Sequence, residues 1–99
     1  MKYLVIATLK LTAQLTAESV SQYRSYIETK TREGVFDIVY NVNVVDRLQN
    51  VCIMSADNIE HLNQLLDQVP TRDMADVEVY PLADFSEGMD ALARRLGQG

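Results

Sequence analysis

The stretch VFDIVYNVNVV, residues 35–45, decides the fold of this 99-residue chain. Bulky apolar residues occupy every second position of it without a break: Phe36, Ile38, Tyr40, Val42 and Val44. This period of two predicts a β-strand that turns one side toward a core. The alternate positions mix valines with three polar residues: Asp37, Asn41 and Asn43. Those polar residues are therefore expected on the opposite face of the sheet.

Three more strands are predicted around this one. The polar segment Asp46–Asn50 and the apolar return at Val51–Met54 predict a hairpin with the first strand. Lys2–Leu9 is apolar on both alternating faces, which is typical of a strand in the middle of a sheet. Asp76–Leu82 alternates Val77 and Val79 with Glu78 and Tyr80, so it is expected to have one buried and one polar face.

Helices are predicted between and after the strands. The first runs from an N-cap at Thr16 to about Glu33, where Gly34 ends it. The second begins at the capping-box spacing Asp57-Asn58-Ile59-Glu60 and ends at Pro70. Ser86 is the expected cap of a third, whose apolar stripe consists of Phe85, Met89, Leu92 and Leu96.

The resulting order, βαββαβ with a terminal helix, is the ferredoxin-like α+β arrangement over a single domain, residues 1–99. Right-handed crossovers put both main helices on one face of a four-stranded antiparallel sheet. The other face keeps apolar side chains that are too extensive to leave in water. We therefore expect a homodimer that pairs sheet to sheet, with the stripe of the terminal helix packed on its own subunit or on the partner.

Composition limits the function. The formal charge of −5 argues against binding to nucleic acid or to an anionic membrane surface. No apolar run reaches the length of a membrane span. One His and one Cys give no metal-ligand spacing, and the glycines form no phosphate loop. The expectation is a cytoplasmic protein without metal or cofactor, in which Cys52 is a small buried hydrophobe.

Between Arg32 and Leu82 the chain resembles the muconolactone isomerase family. The residues that carry the resemblance are Arg32-Glu33-Gly34, Asn50, Glu60, Leu62, Leu66, Pro70, Asp76-Val77-Glu78-Val79 and Leu82. The resemblance implies a dimeric α/β barrel and proton-transfer isomerisation of a small lactone or enone. The chain departs from the family pattern at several places, among them a second-helix histidine position that is Asn63 and a histidine-proline pair that is Phe85-Ser86 here. Where the long strand of the family carries Trp and Arg, this chain has Phe36, Asp37, Tyr40 and Asn41. Where the family has an aromatic, proline-containing segment, this chain has Thr71-Arg72-Asp73-Met74.

The sequence places its candidate site on the bare sheet face. Asp37, Asn41, Asn43, Glu78 and Tyr80 are expected to point into one cavity between paired sheets. Asp37 is the predicted acid/base group, because enclosure raises a carboxyl pKa toward neutrality. Tyr80 is the predicted donor to substrate, and Asn41, Asn43 and Glu78 are predicted to bind it.

The sequence is also consistent with other roles for these residues. The same five side chains could be interface groups that only hydrogen-bond one another or water. The protein could then be a non-catalytic ligand-binding or regulatory dimer, or it could resemble the cofactor-free monooxygenases of the same barrel architecture. His61 is expected on a solvent-facing side of its helix, and Tyr23 and Tyr26 are expected to pack the first helix on the sheet.

Overall fold

The computed structural model describes residues 1–43 and 48–98, without the side chains of Asn43 and Gln98. Its elements are β1 (Lys2–Leu9), α1 (Ala17–Arg32), β2 (Phe36–Asn43), β3 (Leu48–Ser55), α2 (Ile59–Asp67), β4 (Ala75–Leu82) and α3 (Phe85–Gln98), with a short 3-10 turn at Arg72–Met74. The strands lie in the order β2-β3-β1-β4, and every neighbouring pair is antiparallel. The predicted ferredoxin-like order and the central position of β1 are both confirmed.

The predicted hairpin turn was too long. β3 begins at Leu48, so part of the predicted turn Asp46–Asn50 belongs to the sheet. Polar side chains there looked like a turn, but they have partners within the sheet: Gln49 Nε2 donates to Thr8 Oγ1 at 2.9 Å. Val44, Val45 and the start of that turn lie outside the described residues.

Two of the three helix caps differ from the predicted ones. Thr16 caps α1 as expected, and its Oγ1 accepts from the Ser19 N–H at 3.0 Å. At α2 the cap is Asn58, which accepts from the His61 N–H at 2.9 Å. At α3 it is Asp84, whose carboxylate accepts from the N–H groups of Ser86 and Glu87. In both cases a residue one or two positions away has an equally suitable short polar side chain, so residue type alone could not choose between them.

The core lies between the sheet and α2. Its buried side chains are Tyr3, Val5, Phe36, Cys52, Met54, Ala56, Leu62, Leu65 and Leu66. α1 contributes none of them. Instead it is attached at its C-terminal half, where Tyr26 packs edge-on against Phe36 and donates a hydrogen bond to the Leu65 carbonyl at 2.9 Å. A second attachment of α1 to the sheet is the hydrogen bond that the Tyr23 hydroxyl donates to Asn50 Oδ1.

A β-bulge in β2 reverses the predicted faces of that strand. Phe36 pairs with Met54, but Ile38 pairs with the very next residue of β3, Ile53, so Asp37 is an extra residue in the ladder. Beyond the bulge, Val39 and Asn41 lie on the helix-covered face, while Ile38 and Tyr40 lie on the other face. The prediction that Phe36, Ile38, Tyr40 and Val42 share one face was wrong, because a bulge shifts the period of two by one residue.

The face of the sheet away from α1 and α2, here named the open face, is uncovered in the single chain. Among its apolar side chains Ile38, Tyr40, Tyr80 and Leu82 are exposed. α3 projects away from the domain with Phe85, Met89, Leu92 and Leu96 exposed, and the radius of gyration of 16.1 Å exceeds the ~13 Å expected for a compact chain of this length. The stripe of α3 is exposed on the single chain, and its packing on a barrel or a partner subunit stays a prediction. Within the described residues, no helix is long and apolar enough to cross a membrane.

Candidate active site

A cavity of about 560 Å³ lies between α1 and the sheet. Its floor consists of side chains from all four strands: Val5, Ala7, Leu9, Phe36, Val39, Asn41, Leu48, Asn50, Cys52, Met54, Ala75 and Val77. Its roof is the inward side of α1: Ser19, Val20, Tyr23, Arg24, Ile27 and Glu28. One end is closed by the segment that leads from α2 into β4: Leu66, Val69, Thr71, Arg72 and Met74. We name this space the helix-side cavity.

The cavity exists because the inward side of α1 does not pack fully against the strands of the floor. The sequence places Val20, Tyr23 and Ile27 on the core side of α1, and all three line this space, although Ile27 also packs against the edge of the core. Opposite it, β1 presents Ala7, one of the smallest side chains of the floor. A mainly apolar pocket with a few convergent polar groups is the usual form of a small-molecule site.

A chain of hydrogen bonds crosses the polar side of the cavity. The Tyr23 hydroxyl donates to Asn50 Oδ1 at 3.2 Å, and Asn50 Nδ2 in turn donates to Asn41 Oδ1. Burial raises the pKa of the Tyr23 hydroxyl to about 12, with a smaller contribution from Cys52, so it remains a neutral donor at physiological pH. The chain uses the oxygen of Asn41 as acceptor, and within the described residues no hydrogen bond from the N–H donors of that amide is found, so they are available to a ligand.

Cys52 also lines the floor, but its chemistry is restricted. The side chain is buried, and burial raises the pKa of its thiol to about 11. Because the thiolate is the nucleophilic form, a thiol with this pKa is almost fully protonated at neutral pH. The expectation of a small buried hydrophobe is therefore consistent with its environment, and we assign it no catalytic step.

Two cations and one carboxylate are the charged groups among the described lining residues. Arg24 and Glu28 pair with each other on α1, with Nε and Oε1 2.7 Å apart, and both side chains are more than half exposed. Arg72 differs, because its Nε is buried and has no hydrogen-bond partner among the described residues. Its Nη1 donates to the Ala75 carbonyl at a long 3.4 Å.

The structure does not bring the five site residues predicted from sequence into one cavity. Glu78 and Tyr80 are together on the open face, where the Tyr80 hydroxyl donates to the Glu78 carboxylate at 2.6 Å, and this bond raises the Tyr80 pKa. Asp37 pairs with Lys2 at 2.8 Å, outside the helix-side cavity. Asn41 lies on the other face, in the cavity. The side chain of Asn43 is outside the described residues.

Sequence reasoning missed three of the polar groups that line the cavity: Tyr23, Asn50 and Arg72. Tyr23 was assigned to packing because it lies on the apolar stripe of α1, and Asn50 was assigned to a turn. Arg72 follows Pro70 in a segment without periodicity. A signal did exist for Arg72, since the sequence departs there from the aromatic segment of the family it resembles.

A comparison with models of protein families shows which family the chain belongs to. The model of the muconolactone delta-isomerase family matches residues 1–87. The chain belongs to that family. The resemblance that the sequence analysis found over half of the chain is thereby confirmed over most of it. None of the curated proteins matches it significantly.

Solved structures of three proteins share the fold. One is 5-chloro-2-hydroxyhydroquinone dehydrochlorinase from Burkholderia phenoliruptrix AC1100, in complex with 2,5-dihydroxybenzoquinone, at 11% identity, 88% coverage of this chain and 98% of that one, and a TM-score of 0.69. Muconolactone isomerase matches at 23% identity, with coverages of 85% and 90% and a TM-score of 0.61. An uncharacterized protein from Thermotoga maritima matches at 14% identity, with coverages of 83% and 96% and a TM-score of 0.54.

Proposed function

We propose that this protein is a small-molecule enzyme that catalyses proton-transfer isomerisation of a small lactone or enone in the helix-side cavity. The observation that carries the proposal is the hydrogen-bond chain from Tyr23 through Asn50 to Asn41, which ends at an exposed amide that lines an otherwise largely apolar cavity. Membership of the muconolactone delta-isomerase family supports the same reaction class. The site differs from the sequence-based proposal, which put the reaction between paired sheets.

The reaction needs a donor for the negative charge that develops on oxygen. When a base removes the α-proton of a β,γ-unsaturated lactone, the electron pair of the C–H bond is delocalised onto the carbonyl oxygen, and the dienolate that forms is then reprotonated at the γ-carbon. The Asn41 amide, fixed by Asn50 and Tyr23, can donate to that oxygen. Removing one such donor from an enzyme typically slows the reaction by ~10²–10³-fold.

A base must take the proton from one carbon and return it to another. Glu28 is the one carboxylate among the described lining residues, and it pairs with Arg24 on the exposed side of α1. We assign the proton shuttle to Glu28. The acid/base role predicted from sequence for Asp37, with Tyr80 as donor, is a competing proposal that requires a cavity on the open face, which only a partner sheet could create.

We also propose that the protein is a homodimer paired through its open faces. The exposed apolar side chains of this face, together with the unpacked stripe of α3, form more apolar surface than a monomer normally leaves in water. A pairing of this kind would leave the helix-side cavity on the outer side of each sheet. Each subunit would therefore carry its own complete site.

The test follows a methyl-substituted butenolide, α-angelica lactone, in D₂O by NMR. The wild-type protein should accelerate conversion of the β,γ-unsaturated ring to the α,β-unsaturated isomer above the buffer rate, with deuterium appearing at the γ-carbon. Glu28→Gln should lower turnover by ~10²-fold or more, and Asn41→Ala should lower it by a similar factor.

The control is Arg24→Gln, which removes the ion pair but keeps the carboxylate. It should retain most of the turnover that Glu28→Gln loses. Wild-type protein that binds the lactone without exchanging its protons would instead be the non-catalytic ligand-binding module considered above. Retained turnover in both Glu28→Gln and Asn41→Ala would move the reaction out of this cavity.

A further inference from the structure

Glu78 places a carboxylate at the β4 edge of the apolar open face. The residues that form one row with it across the sheet are Ile6, Val51 and Tyr40. The next row of the same face consists of Tyr80, Leu4, Ile53 and Ile38. In the single chain Glu78 is exposed, so water solvates its charge. A second sheet laid on this face would remove that water.

Few groups on the open face could compensate the charge of Glu78. The Tyr80 hydroxyl donates to its carboxylate at 2.6 Å, which is the one hydrogen bond to that group among the described residues. Asp76, two residues earlier on β4, adds a second carboxylate to the same face. Lys2 is the one cation of the four described strands, and it is paired with Asp37 at 2.8 Å. It lies four residues further along the β1–β4 ladder, ~13 Å from Glu78.

The shape of the open face favours a second copy whose strands are aligned with those of the first. Each strand has eight residues, so the face is ~26 Å long and, with four strands ~4.8 Å apart, ~19 Å wide. Two aligned faces therefore cover ~500 Å² each in projection, or ~1,000 Å² together, which is the size at which specific interfaces begin. Crossing the strands at a right angle, the other common packing of two sheets, would leave about a quarter of each face uncovered.

A two-fold axis allows two aligned pairings of these faces, and both are unfavourable for a charged Glu78. With the axis parallel to the strands, β4 of one copy lies opposite β2 of the other, where it meets Ile38 and the ring of Tyr40. With the axis perpendicular to the strands, β4 lies opposite β4, so the carboxylates of Glu78 and Asp76 approach those of the second copy. Burial against apolar side chains and proximity of like charges both favour a protonated carboxyl.

We propose that two copies of this chain pair through their open faces with uptake of a proton at Glu78 of each copy, so that the dimer is favoured as the pH falls. The inference rests on the homodimer proposed above but not on the proposed reaction. Because the dimer binds more protons than two monomers, its association constant rises as the pH falls. The contact with Glu78 raises the pKa of Tyr80, so this hydroxyl stays a neutral hydrogen-bond partner over the range concerned.

Sedimentation equilibrium of the full chain at pH 5.5 and pH 8, at constant ionic strength, measures this linkage. Proton uptake at two buried carboxyls should make the dimer Kd of the wild-type protein lower at pH 5.5 by ~10-fold or more. Glu78→Gln keeps the size of the side chain without its charge. It should dimerise more tightly than wild type at pH 8, and its Kd should change by no more than about threefold between the two pH values.

Glu60→Gln is the matched control. It removes the same charge from the exposed first turn of α2, on the other side of the sheet, and should keep the pH dependence of wild type. Calorimetric dilution in two buffers of different ionisation enthalpy then counts the protons directly. Dissociation of the wild-type dimer should release up to two protons, and dissociation of the Glu78→Gln dimer should release close to none.

A wild-type dimer with the same Kd at both pH values would overturn the inference and leave the proposed dimer in place. Weaker dimerisation of Glu78→Gln than of wild type at pH 8 would also overturn it, because Glu78 would then be charged and paired in the interface, for example with Lys2 of the other copy. An equal loss of pH dependence in Glu78→Gln and Glu60→Gln would assign the effect to net charge. A protein that is monomeric at both pH values would remove the dimer and the inference together, without affecting the reaction proposed for the helix-side cavity.

Discussion

Filling the helix-side cavity from its floor should raise stability and abolish function together. Ala7 is suited to this because it lies in the middle strand of the floor, paired with Asn50 on one side and Val77 on the other. Ala7→Leu adds three carbons. At ~0.8 kcal/mol per buried CH₂ the upper limit is about 2.4 kcal/mol of added stability. Because the roof residues above it are partly exposed, we expect about half of this, ~1 kcal/mol.

The stability change is measured by denaturant or thermal unfolding. A gain of ~1 kcal/mol corresponds to a rise in Tm of ~4–8 °C for a domain of this length. The same variant should lose binding of γ-valerolactone and turnover of α-angelica lactone, because the added side chain occupies the place of the ring. Ala7→Ser nearly keeps the volume, so it is the control and should retain binding.

The opposite outcome would refute the reasoning. In a tightly packed interior, extra methylene groups cost ~1–3 kcal/mol. If Ala7→Leu destabilises by this amount, the space between α1 and the sheet is not available in solution. If Ala7→Leu folds stably and still binds the lactone like wild type, the space exists but is not the site.

Three other perturbations address separate parts of the molecule. Burial raises the Cys52 pKa from 9.0 to about 11, so between these values the unfolded chain has lost a proton that the folded protein keeps, and stability must fall as pH rises. In unfolding titrations at pH 8.5 and 10.5 the fall should be smaller in Cys52→Val by at most ~2–3 kcal/mol, and the part that remains should come from groups such as Tyr23, whose pKa is also raised. Truncation after Asp84 removes the exposed stripe of α3 and should weaken the proposed dimer, whereas an unchanged sedimentation profile would show that α3 has no part in it. Asp37→Asn breaks the ion pair with Lys2 but should leave turnover within about twofold, because an exposed pair of this kind contributes ~1 kcal/mol or less; a loss of 10²-fold or more would return the reaction to the open face.

Most of the architecture could be predicted because it depends on repeated patterns. The two apolar faces of β1 gave its central position, and Thr16 and Gly34 marked the limits of α1 within a residue or two. The site could not be predicted in the same way. It depends on one extra residue at position 37, on how far α1 stands from the sheet, and on Arg72 in a segment without a periodic pattern. None of these is encoded in the alternation or the helical stripes.

The bulge that misled the sequence analysis also shapes the cavity. Without the extra residue, strict alternation from Phe36 would place Ile38 and Tyr40 under α1 and turn Asn41 to the open face. Two large apolar side chains would then occupy the floor, and Asn50 would lose the amide that accepts its hydrogen bond. With the bulge, those side chains are moved to the open face, where they add to the apolar surface available for dimerisation. The extra residue at position 37 thus removes two large side chains from the cavity floor and places the Asn41 amide there.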